Sequence, residues 1–249
     1  MTDNDSALRR RFEELGDRAE TRRCCIFSDF LNLHEQSVLQ NMRLPHRFVL
    51  FGGFTSAERK CVCFGTTDEI QVQVNAPFVL LKIAPAQQKF ADTLTHRDFL
   101  GSILALGLRR EMLGDILLSE NCGYVFCMES IAGFITDNLE RVRHTSVRIT
   151  RTAELPQTLT QEPEPQSVVV ASERLDALLA SVFCLSRSEA QKLIAAERVF
   201  ADNCVCTRSD TVLKENCMVS ARGFGRFRYL GIDRETKKGK LRVAVQIFK

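Results

Sequence analysis

The chain has 249 residues, enough for about two domains of ~100–200 residues each, and its 45% apolar and 26% charged residues are a globular balance that buries a sizeable core. The polar, charged start MTDNDSALRRRFEEL is unlike a signal peptide, and no apolar run nears the ~18 residues of a membrane span, so a cytoplasmic chain without a membrane partner is expected. Net charge is only +3 but unevenly placed: Glu173–Lys249 carries 15 Lys+Arg against 9 Asp+Glu, the remainder 19 against 22. A basic segment joined to a mildly acidic one points to a polyanion as the partner of the C-terminal part.

In chain order, two helices are predicted first, over about Ser6–Glu20 and Ser28–Gln40, with Ser6 and Ser28 as N-caps and Pro45 beyond the second. Strands Arg47–Phe51 and Lys60–Phe64 follow, separated by Gly52-Gly53 and a polar turn. Phe78–Ala84 reads as an apolar strand. A helix opens at Thr95 with Asp98 in a capping arrangement, places Phe99, Ile103 and Leu106 on one face, and ends at Gly107. Strands Asp115–Leu118 and Tyr124–Met128 join across Asn121–Gly123, then come a helix over Ser130–Leu139 and a strand over Ser146–Thr150. The order βαββαβ is ferredoxin-like. RNA-recognition modules share it but carry paired aromatics on their central strands. Here Tyr124 and Phe126 alternate on one strand without the partner motif, and they read as core.

Leu155–Gln166, LPQTLTQEPEPQ, holds three of the six prolines and reads as a linker without helix or central strand. The expected organisation is α+β: an N-terminal domain over 1–154 with extra N-terminal helices and strands, a linker over 155–167, and a small basic domain over 168–249. In that domain, Arg174–Phe183 is predicted helical with Leu175, Leu178, Leu179 and Val182 inward. Ser186 caps a second helix, Arg187–Ala196, with Glu189 in the capping box and Ala190, Leu193 and Ile194 inward. A hairpin turns at Asp202-Asn203, and short strands follow at Val212–Leu213 and Met218–Ala221.

The ten cysteines contain no CxxC, and the CxC pairs Cys61/Cys63 and Cys204/Cys206 lie in apparent strands, where a spacing of two puts both thiols on one sheet face. They read as small apolar residues in a reducing compartment, without the paired spacing of a zinc site. No metal and no cofactor is expected.

Arg174-Leu175-Asp176, Leu185-Ser186-Arg187-Ser188-Glu189-Ala190, Lys192, Ile194, Val199 and Val219-Ser220-Ala221-Arg222-Gly223 together resemble the S4-type (alpha-L) RNA-binding domain over about Ser172–Phe227. The RGFGRF run at Arg222–Phe227, ETKKGK at Glu235–Lys240, Leu94–Gly101, Leu106-Gly107, Gly114-Asp115-Ile116, Gly52-Gly53 and Ala57-Glu58-Arg59 extend the resemblance to the YlmH family over nearly the whole chain. That family is bacterial with relatives in plastids. The resemblance implies non-catalytic binding of structured RNA (ribosomal RNA of the large subunit, tRNA), in translation or in rescue and quality control of stalled ribosomes, by a monomer. Asp202-Asn203-Cys204 stands where such domains usually have Asn-Gly-Lys, which removes a hairpin-tip lysine, and Asn216-Cys217 stands for the usual Gly-Asp.

The expected RNA contacts are Arg174, Ser186, Arg187, Lys192, Arg198, Arg222, Phe224, Arg226, Lys237 and Lys238, with His96 and Arg97 as further contacts. Ser186 and Arg187 open a helix, where free amides and the helix dipole favour phosphate. Arginine forks two phosphate oxygens, and Phe224 between glycines can stack on a base. Arg187 is expected beside Arg174 on one exposed surface, contributing little to folding. The runner-up readings are an RNA-modifying enzyme targeted by its S4 domain, and an adaptor whose N-terminal domain holds a protein partner. For an enzyme, only about 22 residues follow Phe227, too few for a pseudouridine synthase domain. No G-x-G-x-x-G follows Gly52-Gly53. His96, Arg97 and Asp98, near Asp115, are the one polar cluster with catalytic potential. Neighbours at a helix start diverge, so Thr95 and Asp98 read as caps and the cluster as non-catalytic.

Overall fold

The computed structural model describes residues 3–88, 91–160, 163–202, 204–236 and 239–248. By packing, the chain forms two units, Met1–Glu35 with Asn41–Gln161, and Gln36–Gln40 with Glu162–Lys249.

The first unit opens with α1 (Asp3–Arg22), which turns Phe12, Leu15 and Ala19 inward. Strand β1 (Ile26–Phe27) follows, then α2 (Leu33–Gln40), of which Gln36–Gln40 counts with the second unit, β2 (Phe48–Phe51) and β3 (Cys61–Phe64). The strands form an antiparallel sheet in the order β1-β3-β2. Two predicted caps fail. Ser6 lies inside α1, and Ser28 precedes a non-helical stretch. The Ser28 hydroxyl accepts the Val62 amide at 3.0 Å and donates to the Asp29 carbonyl, so it serves the sheet. Asn32 supplies the cap: its Oδ1 accepts the Glu35 amide at 3.0 Å while Glu35 accepts the Asn32 amide at 2.7 Å.

A helix α3 (Glu69–Asn75) leads to β4 (Phe78–Pro85), α4 (His96–Leu104), β5 (Leu113–Ser119), β6 (Cys122–Met128), α5 (Glu129–Asn138), β7 (Arg141–Val142) and β8 (Thr145–Thr152). The antiparallel sheet runs β5-β6-β4-β8-β7. Without β7 this is the ferredoxin-like order that the βαββαβ pattern predicts. Thr95 caps α4 as expected, its amide and hydroxyl both donating to Asp98. Tyr124 and Phe126 are buried. Gly123 packs under the Phe99 ring of α4, whereas Phe126, on the opposite face, meets the Gly53 loop. Within the predicted linker, Gln157–Thr160 form one turn of helix, α6, and Leu155 and Leu159 pack on the first core. Two apolar residues four apart outweigh the neighbouring prolines there.

In the second unit, β9 (Gln166–Val170) precedes α7 (Leu175–Val182) and α8 (Arg187–Ala195). Then come β10 (Val199–Ala201), β11 (Cys204–Val205), β12 (Met218–Ala221), β13 (Gly225–Glu235) and β14 (Leu241–Phe248). The six-stranded sheet runs β11-β10-β12-β13-β14-β9. All seven core positions predicted on the two helices are buried. The long β13–β14 pair and the edge strand β9 are additions to the sequence reading. Strand β9 contributes Val170 to the core, and β14 contributes Val243 and Val245.

All ten cysteines are free thiols. Burial pushes Cys127 and Cys217 up to about 12, so both stay protonated at neutral pH. No helix among the described residues is long and apolar enough to cross a membrane. None of the described His, Cys, Asp and Glu residues cluster as a metal site.

Candidate nucleic-acid interface

The second unit is organised around a fully buried carboxylate, Asp176, in the first turn of α7. Arg174, at the N-cap, donates to it through Nε and Nη2, both at 3.1 Å. Arg187, at the start of α8, donates through Nε at 3.1 Å and Nη2 at 3.4 Å. Gln191, one turn further along α8, adds a bond at 2.9 Å. Burial acts to raise the Asp176 pKa, but the bonds from Arg174, Arg187 and Gln191 outweigh it and hold the carboxyl well below the usual range. The guanidinium side chains stay 38% and 52% exposed. Two partly exposed cations are thus held side by side on one carboxylate, an arrangement suited to planar recognition of phosphate. The structure places Arg187 beside Arg174, as expected, but ties it to a buried acid, so its predicted neutrality in folding does not hold.

At the head of α8 the capping box is complete. The Ser186 hydroxyl accepts the Glu189 amide at 3.2 Å, and the Ser186 amide donates to Glu189 at 2.8 Å. The Ser186 hydroxyl also donates to that carboxylate at 2.7 Å. Glu189 therefore already serves the Ser186 groups that the sequence reading offered to phosphate. Lys192 is exposed on α8, off the Arg187–Gln191 stripe.

A second group forms around the β12–β13 turn. The Phe224 amide donates to the Ala221 carbonyl at 3.0 Å with Gly223 at φ +88°, a turn whose third residue needs the left-handed region. The Arg222 amide donates to the Arg198 carbonyl at 2.9 Å, and Arg198 returns a bond from Nη2 to the Arg222 carbonyl at 2.8 Å. The Arg222 guanidinium sits 5.0 Å from the Phe200 ring centre. Phe224 is 43% exposed beside Phe183, which also packs on buried Phe227. Along β13, Arg226 and Arg228 flank the Phe248 ring at 6.0 and 5.6 Å. Arg228 and Gln191 are missing from the sequence reading, which named Asp176 only within the Arg174-Leu175-Asp176 motif. The alternation Arg226-Phe227-Arg228-Tyr229, with Phe227 and Tyr229 buried, was the available signal for Arg228. Lys237 and Lys238 lie outside the described residues, as does Asn203 of the hairpin turn.

In the first unit, the two carboxylates of the cluster with catalytic potential each serve backbone or capping partners. Asp98 caps α4 and faces Arg143 at 3.8 Å. Asp115 accepts the Glu58 and Arg59 amides at 2.6 and 3.0 Å. Arg59 in turn donates to the Leu113 and Phe30 carbonyls, so the Ala57-Glu58-Arg59 motif is a loop clasp. Partial burial, then the charge of Arg110, lowers the His96 pKa against the pull of Asp115. Burial and neighbouring Arg59 bring Arg110 down to about 10. Arg97 is exposed.

Residues 77–155 match the family model described as "Putative RNA-binding domain in YlmH", and residues 173–217 match the S4 domain. The chain is 28% identical over 232 residues to the ribosome-associated protein quality control protein P2 of Bacillus subtilis (strain 168), covering 88% of this chain and 86% of that protein. Among solved structures it resembles the cell division protein ylmH from Streptococcus pneumoniae, with TM-score 0.49 and 21% identity, over 64% of this chain and 94% of that one.

Proposed function

We propose, for a chain that carries a YlmH RNA-binding domain and an S4 domain and so belongs with the YlmH-type proteins, that its second unit grips structured RNA of the ribosome without catalysing a reaction. The observation that carries this is the pair of outward-facing guanidinium groups of Arg174 and Arg187 held on buried Asp176. The RNA-facing set is Arg174, Arg187, Lys192, Arg198, Arg222, Phe224 and Arg226, with Ser186 fixing the helix start. Lys237, Lys238, His96 and Arg97 complete the set as sequence-based assignments. Phosphate contacts from such residues set position and affinity, and Phe224 adds a face for stacking.

The target in this reading is ribosomal RNA of the large subunit, tRNA or both, and the process is translation, or rescue or quality control of stalled ribosomes. The similarity to a ribosome-associated quality control protein supports this process. The domain reading of 1–154, a connection over 155–167, and 168–249 assigns RNA grip to the last part. The test is ultraviolet crosslinking of the full chain to purified ribosomal subunits and tRNA, with mapping of both partners. Crosslinks from 168–249 into large-subunit RNA or tRNA are expected. Crosslinks confined to 1–154, or to small-subunit RNA, contradict the reading.

A further inference from the structure

The face of the ferredoxin-like sheet turned away from Phe99 of α4 holds a cleft that the second-unit interface does not use. Strand register puts Phe78 and Leu80 of β4, Phe126 of β6 and Thr152 of β8 on this one face. The Gly52-Gly53 turn lies over it, because a side chain at Gly53 would run into the Phe126 ring. Between them is a hollow of 460 Å³, and a second of 440 Å³, walled by β2, the Gly52-Gly53 loop, Lys60 and α3, shares Phe51, Gly53 and Gln73 with it; each is within the ~300–1,000 Å³ of ligand sites. Their aromatic lining is one cluster that contains two stacked pairs, with Phe78 also meeting Phe30 at 5.0 Å and Phe126 edge-on at 6.1 Å. Phe51 and Phe78 are 5.6 Å apart at 28°, and Phe54 and Phe126 are 5.6 Å apart at 16°. Phe51, Phe54 and Phe78 keep part of their ring surface open. The polar lining is equally specific. The exposed Gln73 amide offers a donor and an acceptor together. Lys60 stands on the wall of one hollow and Arg151, paired with Glu129, on the other.

Flat rings, one amide and two cations match one nucleotide better than an apolar peptide segment. We propose that this cleft takes an unstacked base of single-stranded RNA, stacked against the open side of the Phe51 ring, which Phe78 backs, and read at its edge by Gln73, with Lys60 and Arg151 facing the flanking phosphates. The inference rests on the RNA-binding reading of the chain but on a different unit. The wall residues Phe78, Phe126, Arg151 and Thr152 lie within the segment matched to the YlmH RNA-binding model.

The chain has no tryptophan, so a fluorescent base reports without background. The probe is a single-stranded RNA octamer with one central 2-aminopurine, added to the full chain. Binding should quench the fluorescence through stacking. Ala153→Phe plugs the cleft from an exposed wall position, and Gln73→Ala removes the edge-reading amide from another. With unchanged thermal midpoints, Ala153→Phe should abolish the quench and weaken octamer binding roughly tenfold, within the range for one lost base stack. Gln73→Ala should weaken binding and level the preference among the four bases at that position. Arg222→Gln with Arg226→Gln should lower affinity for structured RNA while bound octamer remains quenched. Folded Ala153→Phe and Gln73→Ala proteins that bind and quench like the parent overturn the proposal and leave the cleft to a partner such as a peptide. An unaltered affinity in the Arg222/Arg226 variant alone instead counts against the second-unit reading.

Discussion

Asp176 concentrates the physical argument into one side chain. A carboxylate with no solvent exposure is costly unless every lone pair is used, and here two arginines and a glutamine use them. Its pKa is depressed below the unfolded value of about 3.9. The stability it contributes is therefore fully present above about pH 4 and is lost as pH falls through the folded value. Asp176→Asn should cost roughly 3 kcal/mol at neutral pH, the scale for breaking a buried pair. It should also flatten the acid limb of stability, read by urea unfolding between about pH 2 and 5. A variant as stable as the parent at pH 7 contradicts this account. Arg187→Ala should weaken RNA binding by about 1–3 kcal/mol and also destabilise folding by about 1–3 kcal/mol, because a charged hydrogen bond to a buried acid is lost. Affinity per folded molecule and the urea midpoint, measured together, separate the two effects. Sequence made the capping box at Ser186 and Glu189 legible, since four adjacent residues determine it. It could not reveal that positions 174, 187 and 191 converge on 176, which depends on how two helices pack.

Among elements, the β12–β13 turn carries the most of the proposed RNA contacts on the least chain. Gly223 at φ +88° lets Arg222 and Phe224 diverge, and a Cβ there would also approach Arg198 Nη2 to 3.1 Å. Gly223→Ala should cost about 1 kcal/mol or more and weaken RNA binding through displaced Arg222 and Phe224. Equal stability and affinity in that variant would remove the turn from the interface. Regular elements with strong periodicity were readable: the two second-unit helices and the βαββαβ order follow from apolar spacing. The start of α2 was not, because Ser28 and Asn32 are both competent caps and only the Val62 amide decides between them. Strand β9 was hidden by adjacent prolines and glutamates. Its pairing with β14 makes a fragment prediction: 162–249 should unfold cooperatively, whereas 173–249, lacking β9 and Val170, should melt broadly or not fold. Matching thermal transitions for the two fragments would make β9 dispensable.

At the scale of the molecule, the charge surplus in Glu173–Lys249 gains structure as arginines anchored by a buried acid, a glycine turn and aromatic rings. The uneven distribution of charge was visible in the sequence, and so was the class of partner. The cleft on the first unit was not, because its walls come from strands distant in sequence and from a loop packed over them. The most direct measurement is the salt dependence of full-chain affinity for a structured RNA, beside the variant Lys192→Gln/Arg222→Gln/Arg226→Gln. If these side chains meet phosphates, log affinity should fall linearly with log salt, and the variant should bind more weakly with a slope shallower by about 2–3. A parent slope near zero, or a folded variant with the parent's slope and affinity, would contradict RNA binding through this surface.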